Sequence, residues 1–174
     1  MLILRWAAIP VEITEGDLEP TVPGSVVLSL LTALFLHSDL LHLVANLFYL
    51  AVFAPSVERA VGRWAFLALY LVGGAVGGLA QVAMYPSSLV PVIGASSAIA
   101  AVMAAHLVLF PRLSIEVALF AMWFAQDVLY GFKMPHALDA WLGGTATWAH
   151  LAGLSFGGSM ALLWRRALVR RHPA

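Results

Sequence analysis

Two adjacent serines, Ser96 and Ser97, follow Gly94 near the start of one long apolar stretch, and His150 stands near the start of another. His42 and Asn46, four residues apart, fall on one face of a third stretch if that stretch is helical. A serine hydroxyl is a poor nucleophile until a neighbouring base takes its proton, and an imidazole such as that of His150 is a suitable base. Attack on a carbonyl creates an oxyanion that needs positioned donors. The His42 imidazole N–H, the Asn46 amide and the Ser96 backbone N–H are groups of the right type. The chemistry available is therefore hydrolysis by acyl transfer. No Asp or Glu accompanies His150 within its own stretch, so the expectation is a Ser–His dyad without a third member. Each residue alone also has a plain structural reading. A serine in an apolar helix bonds its own backbone or lets helices approach, and a single histidine packs or joins a proton pathway. His106 is read as structural, Asp127 as a cap or ion-pair partner near its own stretch, and Glu58 with Arg59 as the anchor of a turn. His136 and His172 are read as solvated.

The elements that must hold these groups follow from composition. Of 174 residues, 62% are apolar and 10% charged, with nine Lys+Arg against nine Asp+Glu and no cysteine. Soluble domains carry roughly 45–50% apolar and about 25% charged residues, so this chain has too little polar surface to be a soluble enzyme. A net charge of zero with no basic run before the last ten residues leaves no footprint for nucleic acid. Without cysteine there are no disulfides, thiolate metal sites or Cys nucleophile. His37 lies five residues before His42 and points elsewhere if the helix extends that far, which argues against a two-histidine metal site. No metal and no organic cofactor is expected.

A helix needs about 20 mostly apolar residues to cross the hydrocarbon core. The candidates are Leu40 to Val57, Trp64 to Tyr85, Leu89 to Phe110, Leu113 to Gly131 and Thr145 to Trp164, five in all, with Val26 to Leu36 read as interfacial or re-entrant. Seven of the nine basic residues, Arg59, Arg63, Arg112, Arg165, Arg166, Arg170 and Arg171, then fall on one side, which the positive-inside rule makes cytoplasmic. Only Arg5 and Lys133 fall opposite. Met1 to Ile9, interrupted by Arg5 and stopped by Pro10, is neither a span nor a signal peptide and is placed at the interface. The organisation expected is an outward-facing segment 1–25, one membrane domain 26–166 and a basic cytoplasmic tail 167–174, with no internal repeat. Ser96, His150, His42 and Asn46 all lie toward the outer face. Glycines four apart, Gly73/Gly77, Gly74/Gly78 and Gly153/Gly157, let helix backbones approach where lipid supplies no hydrophobic drive.

These motifs in this order resemble the rhomboid family of intramembrane serine proteases. Phe35-Leu36-His37 followed by His42 and Asn46 is similar to the family's stretch of two histidines and an asparagine, and Gly94-Ala95-Ser96 to its Gly-x-Ser nucleophile motif. Ala149-His150-Leu151-Ala152-Gly153, continuing to Gly157, resembles its final-helix motif, and Glu58, Arg59 and Gly62 match its Glu-x-x-x-Gly portion. The resemblance runs from about Leu4 to about Trp164. Three departures stand out. Ser97 occupies a position usually taken by Gly, Leu28-Ser29 replaces a Trp-Arg pair, and the residues resembling the region just after the family's first helix begin almost at Met1, so the expectation is either a five-helix variant or a truncated chain.

The resemblance implies an all-α polytopic membrane bundle of the rhomboid type, with five transmembrane helices in this chain. It implies Ser96 as nucleophile, His150 as general base and acid, and His42, Asn46 and the Ser96 backbone as the oxyanion hole. His37 would be structural in a loop embedded in the outer leaflet, and Gly153 and Gly157 would hold the histidine helix against the serine helix. The segment Leu113 to Gly131 would be a mobile gate, and the loop Phe132 to Gly144 a cap over the site. Partners would be transmembrane protein substrates and the lipid bilayer. The location expected is the cytoplasmic membrane of a prokaryote, with the site toward the outer face. Two other readings stand beside this one: an inactive rhomboid-like protein that binds or escorts membrane segments, and a small transporter or proton-coupled channel using His42, His106 and His150.

Overall fold

The computed structural model describes residues 5–15, 26–112, 114–131 and 146–171, and among these every regular element is a helix. The helices are α1 (Pro10–Glu15), α2 (Val26–Thr32) with a 3-10 turn at Ala33–Phe35, α3 (Leu40–Val61), α4 (Arg63–Met84), α5 (Ser96–Leu109), α6 (Ile115–Gly131) and α7 (Thr147–Arg171). The cap loop expected at 132–144 lies outside the described residues.

Asp39 starts α3. Its backbone is extended and its Oδ1 accepts from the His42 backbone N–H at 2.8 Å, satisfying one of the unpaired donors of the first turn. That bond, with the Ser38 hydroxyl donating to Oδ2 at 2.8 Å, holds the Asp39 carboxyl below its ordinary range. Pro55 interrupts the ladder inside α3, and Gly62 ends the helix at φ +85°, a conformation that a Cβ disfavours. With Gly62 as the single residue between them, α3 turns directly into α4.

The core is built around α5. Ser97 to Met103, Ala105 and His106 are all buried, and α4 and α7 close on this helix through glycines. Gly73 faces Ala101 and Phe156, Gly77 faces Ser97 and the Ala149 carbonyl, and Gly74 faces Ala98 and Leu34 of the 3-10 turn. From the other side, Gly153 lies against the Ser97 carbonyl and Gly157 against the Ala101 backbone, where a Cβ has no room. Phe53, Val57, Ile99, Val102 and Met103 fill the remaining space. The exterior is the reverse of a soluble protein's. Leu40, Leu41, Leu47 and Phe48 of α3, Trp64 and Leu67 of α4, Ile115 and Met122 of α6 and Leu163 of α7 are exposed, while Asn46, Ser97, His106, Asp127, Thr147 and His150 are buried.

One expectation needs correction and another is met only in part. The stretch Leu89 to Phe110 is not one helix: α5 begins only at Ser96, because Pro86, Pro91 and the positive φ of Gly94 keep the preceding segment irregular. Its backbone finds partners elsewhere. Ala8 and Val92 exchange both hydrogen bonds as an antiparallel bridge, the Val11 N–H donates to Ser88 O at 3.1 Å, and Gly94 N–H donates to Ala33 O at 2.9 Å. The count of five spans is also not reproduced by helix length and hydropathy. Among the described residues only Leu40–Val61 and Arg63–Met84 are long and apolar enough to cross a bilayer. The enclosed α5 has 14 residues, α6 has 17, and the 25 residues of α7 are diluted by glycines, serines, His150 and four arginines.

Replacing Gly157 by Ala should destabilise the bundle by about 1–3 kcal/mol, because the new methyl overlaps the Ala101 backbone. Gly158→Ala, whose Cβ would meet Ala104 Cβ at 4.0 Å, should be neutral or slightly stabilising. Thermal unfolding in detergent compares the two, and equal midpoints would show that the α5–α7 contact is not this close.

Candidate active site

Ser96 is the first residue of α5 and follows an irregular approach, so its side chain sits at an edge of the bundle and not inside a helix wall. No side chain caps this helix: Ala95 occupies the N-cap position. The N-terminus of α7 arrives at the same place because Gly153 and Gly157 bring it against α5. As a result His150 Nε2 lies 2.7 Å from Ser96 Oγ. Serine and histidine come from positions 54 apart in sequence and meet inside the protein, with His150 only 6% exposed.

His42 and Asn46 lie one turn apart on α3 and face the backbone just before Ser96. A Cβ on Gly94 would stand 2.9 Å from His42 Cε1 and 3.9 Å from Asn46 Nδ2. Glycine is therefore required twice at 94, for its φ of +109° and for the close approach of the His42 ring. The Ser38 hydroxyl lies 3.2 Å from His42 Nδ1, which leaves Nε2 turned toward Gly94. Asn46 Nδ2 is buried and makes no hydrogen bond. Two side-chain donors and the uncapped start of α5 thus border the space around Ser96. On the His42 side a cavity of about 260 Å³ is lined by Ser38, His42, Gln81, Tyr85, Val92 and Ala146.

The remaining candidates separate into two groups. Gly153 and Gly157 set the α5–α7 approach described above. Glu58 lies away from Ser96, and His37 reaches the site only through the His42 ring. Glu58 is twelve residues beyond Asn46 on α3, about 18 Å along the helix axis, and its carbonyl accepts from the Gly62 N–H at 2.8 Å in the turn to α4. His37 precedes α3, so the expected helical divergence from His42 does not apply, and the two rings meet edge to face at 5.1 Å. Burial lowers the His37 imidazole below its ordinary value. His106 is not brought to His42 and His150. It lies ten residues along α5 from Ser96, about 15 Å, and its Nδ1 is 2.7 Å from Ser56 Oγ of α3. Ser97 fits in place of glycine because Gly77 opposite it has no side chain, and its hydroxyl donates to Gly74 O at 3.3 Å.

One residue enters from a helix where no site residue was expected. Asp127 of α6 places Oδ1 2.7 Å from His150 Nδ1, and the Thr147 hydroxyl donates to the same oxygen at 3.5 Å. The absence of an acid from the histidine's own helix is correct but beside the point, since the carboxylate arrives from a neighbouring one. The available signal was its cost: an acidic side chain in an apolar helix has to find a partner. The Trp123 ring of α6 also packs on the imidazole, with 4.9 Å between centroids.

The family model described as Rhomboid domain matches residues 25–167. The chain is also 29% identical over 150 residues to the presenilin-associated rhomboid-like protein A, mitochondrial, of Danio rerio, covering 76% of this chain and 37% of that protein. The chain therefore spans well under half the length of the curated relative it matches. Rhomboid domains are membrane-integral.

Gly94→Ala should strain the backbone by about 1–2 kcal/mol and displace the His42 ring. The expected result is a lower thermal midpoint together with slower labelling of Ser96 by a serine-directed phosphonate. Unchanged labelling would show that His42 does not depend on the gap at Gly94.

Proposed function

The chain belongs to the rhomboid family, and from that premise we propose that it is an intramembrane serine endopeptidase with Ser96 as nucleophile and His150 as general base and acid. The observation that carries this reading is the 2.7 Å approach of His150 Nε2 to Ser96 Oγ. In the first step His150 Nε2 takes the Ser96 proton while Oγ bonds to the scissile carbonyl carbon. His42, Asn46 and the Ser96 backbone N–H stabilise the oxyanion. The carbon–nitrogen bond then breaks, and His150 returns the proton to the leaving amine. Water, deprotonated by the same imidazole, hydrolyses the Ser96 ester and restores both residues. The cavity beside His42, bordered by the unpaired Gln81 Oε1, supports a polar route for that water. The mechanism uses no metal and no organic cofactor.

The substrates are transmembrane segments of other proteins, cut near the outer face. A peptide bond in an intact helix is shielded, so helix-breaking or small residues at the cleavage point favour attack. The domain we assign is 26–166, with segment 1–25 outside and the tail 167–174 inside, and five helices crossing the membrane. The charge distribution supports this orientation, with seven of the eight arginines, all but Arg5, on the side opposite Ser96. We place the chain in a prokaryotic cytoplasmic membrane. The mitochondrial address in the relative's name stays with that relative. In this reading α6 is the element that moves to admit substrate.

The test is cleavage of a single-pass membrane substrate in liposomes at matched folded concentration. Ser96→Ala and His150→Ala should each abolish turnover, and Asn46→Ala should lower kcat about 10²–10³-fold. A folded chain that neither cleaves nor labels at Ser96 would overturn the protease reading in favour of an inactive rhomboid-like protein that binds membrane segments.

A further inference from the structure

The packing of α6 differs from that of every other long helix here. Among its described side chains, residues 115–129, only Asp127 is buried, at 3% exposed, while apolar residues such as Ile115, Met122 and Leu129 face outward. A helix docked by hydrophobic packing would bury its leucines and phenylalanines and leave a carboxylate at the rim. Here Leu119, Phe120 and Trp123 touch the core but are only half-buried, and the carboxylate is the most enclosed group of the helix. A buried carboxylate in an apolar bundle carries a large desolvation cost, which is sustained only if a partner compensates it. That partner is the outer nitrogen of the imidazole whose inner nitrogen faces Ser96.

The geometry restricts the protonation pattern. An ionised carboxylate only accepts hydrogen bonds, so a 2.7 Å contact with Asp127 Oδ1 requires Nδ1 to carry the proton. Nε2 then presents a lone pair to the Ser96 hydroxyl at 2.7 Å, which is the tautomer a general base needs. The same carboxylate offsets the positive charge that His150 acquires when it holds the Ser96 proton. Trp123 against one face of the ring and the Thr147 hydroxyl on Oδ1 limit rotation of the pair. We infer that Asp127 is the positioning residue of His150, so that α6 supplies the third member of a Ser96–His150–Asp127 relay and must be docked on α7 for turnover. This rests on the assignment of Ser96 and His150 above and deepens it.

The experiment compares the full chain with Asp127→Asn, which keeps size and removes charge, and with Asp127→Glu, at matched folded concentration. Cleavage kinetics should show kcat lowered about 10²–10⁴-fold in Asp127→Asn with KM changed less than about threefold. Asp127→Glu should recover part of the loss. A residue that only stabilised the bundle would lower the thermal midpoint without this split. In parallel, 15N spectra of the histidines, with His150→Gln identifying the resonances, should show Nδ1 protonated and Nε2 bare in the unsubstituted chain and a mixture of tautomers in Asp127→Asn. This second measurement does not depend on activity. An active parent whose Asp127→Asn variant keeps kcat within about threefold, or an Nε2-protonated parent, overturns the inference and leaves the protease reading standing. An inert parent that still loses its Nδ1 proton signal in Asp127→Asn overturns the protease reading alone.

Discussion

The distance between α5 and α7 governs everything else in this bundle. Helices carrying ordinary side chains pack with axes 8–10 Å apart, and closer approach requires that one surface be nearly bare. Gly153 and Gly157 provide that surface on α7, against the Ser97 carbonyl and the Ala101 backbone. Because His150 is one turn before Gly153 and Ser96 is one residue before Ser97, the contact that seats the helices also sets the reach of the imidazole. Gly73 and Gly77 of α4 do the same from the other side, so α5 is held between two glycine faces. The serine's position is thus determined by backbone contacts, which do not change rotamer.

A bundle with an apolar exterior must settle its polar groups internally, and the way it does so divides the molecule in two. Toward the inner end, Ser56 and His106 join α3 to α5, and the Gly62 turn closes the α3–α4 corner. These contacts are saturated and local. Toward the outer end, Asn46 Nδ2, Gln81 Oε1 and Asp127 Oδ2 are buried without hydrogen-bond partners. Unpaired polar atoms cost stability wherever they occur. Of these only Asn46 Nδ2 is a donor, and a donor not already bonded within the protein is what an oxyanion forming at Ser96 requires, whereas Gln81 Oε1 and Asp127 Oδ2 can only accept.

Much of this was legible in the sequence, for identifiable reasons. Ser96, His150, His42 and Asn46 stand out because polar residues from separate apolar stretches converge at one depth, although each alone has a plain structural reading, and Gly153 and Gly157 because a four-residue period survives in a single chain. The helix start at Ser96 was less accessible. Continuous hydrophobicity from Leu89 to Phe110 hides the fact that Pro91 and Gly94 cannot be part of the same helix, and hydropathy does not distinguish a crossing helix from an irregular segment whose backbone pairs with another, as Val92 does with Ala8. Asp127 was noticed but not connected, because nothing in a linear sequence says that the end of one helix meets the start of the next across a 15-residue intervening stretch.

The weak apolar docking of α6 carries a further consequence. A transmembrane substrate has to enter between helices, and the helix easiest to displace is the one with least buried apolar area. That helix is α6, which exposes Ile115, Met122 and Leu129 and buries a carboxylate. Swinging it outward would sacrifice little hydrophobic contact but would separate Asp127 from His150 and leave a charge to be resolvated. Opening is therefore resisted by the Asp127–His150 contact at the site itself, beside the packing of Leu119, Phe120 and Trp123 on the core. Returning restores that contact and the histidine's orientation together, so the opened form is the one in which His150 is least prepared to act as a base. In the reading proposed above, admission and catalysis would be alternating states of the same helix, linked through Asp127.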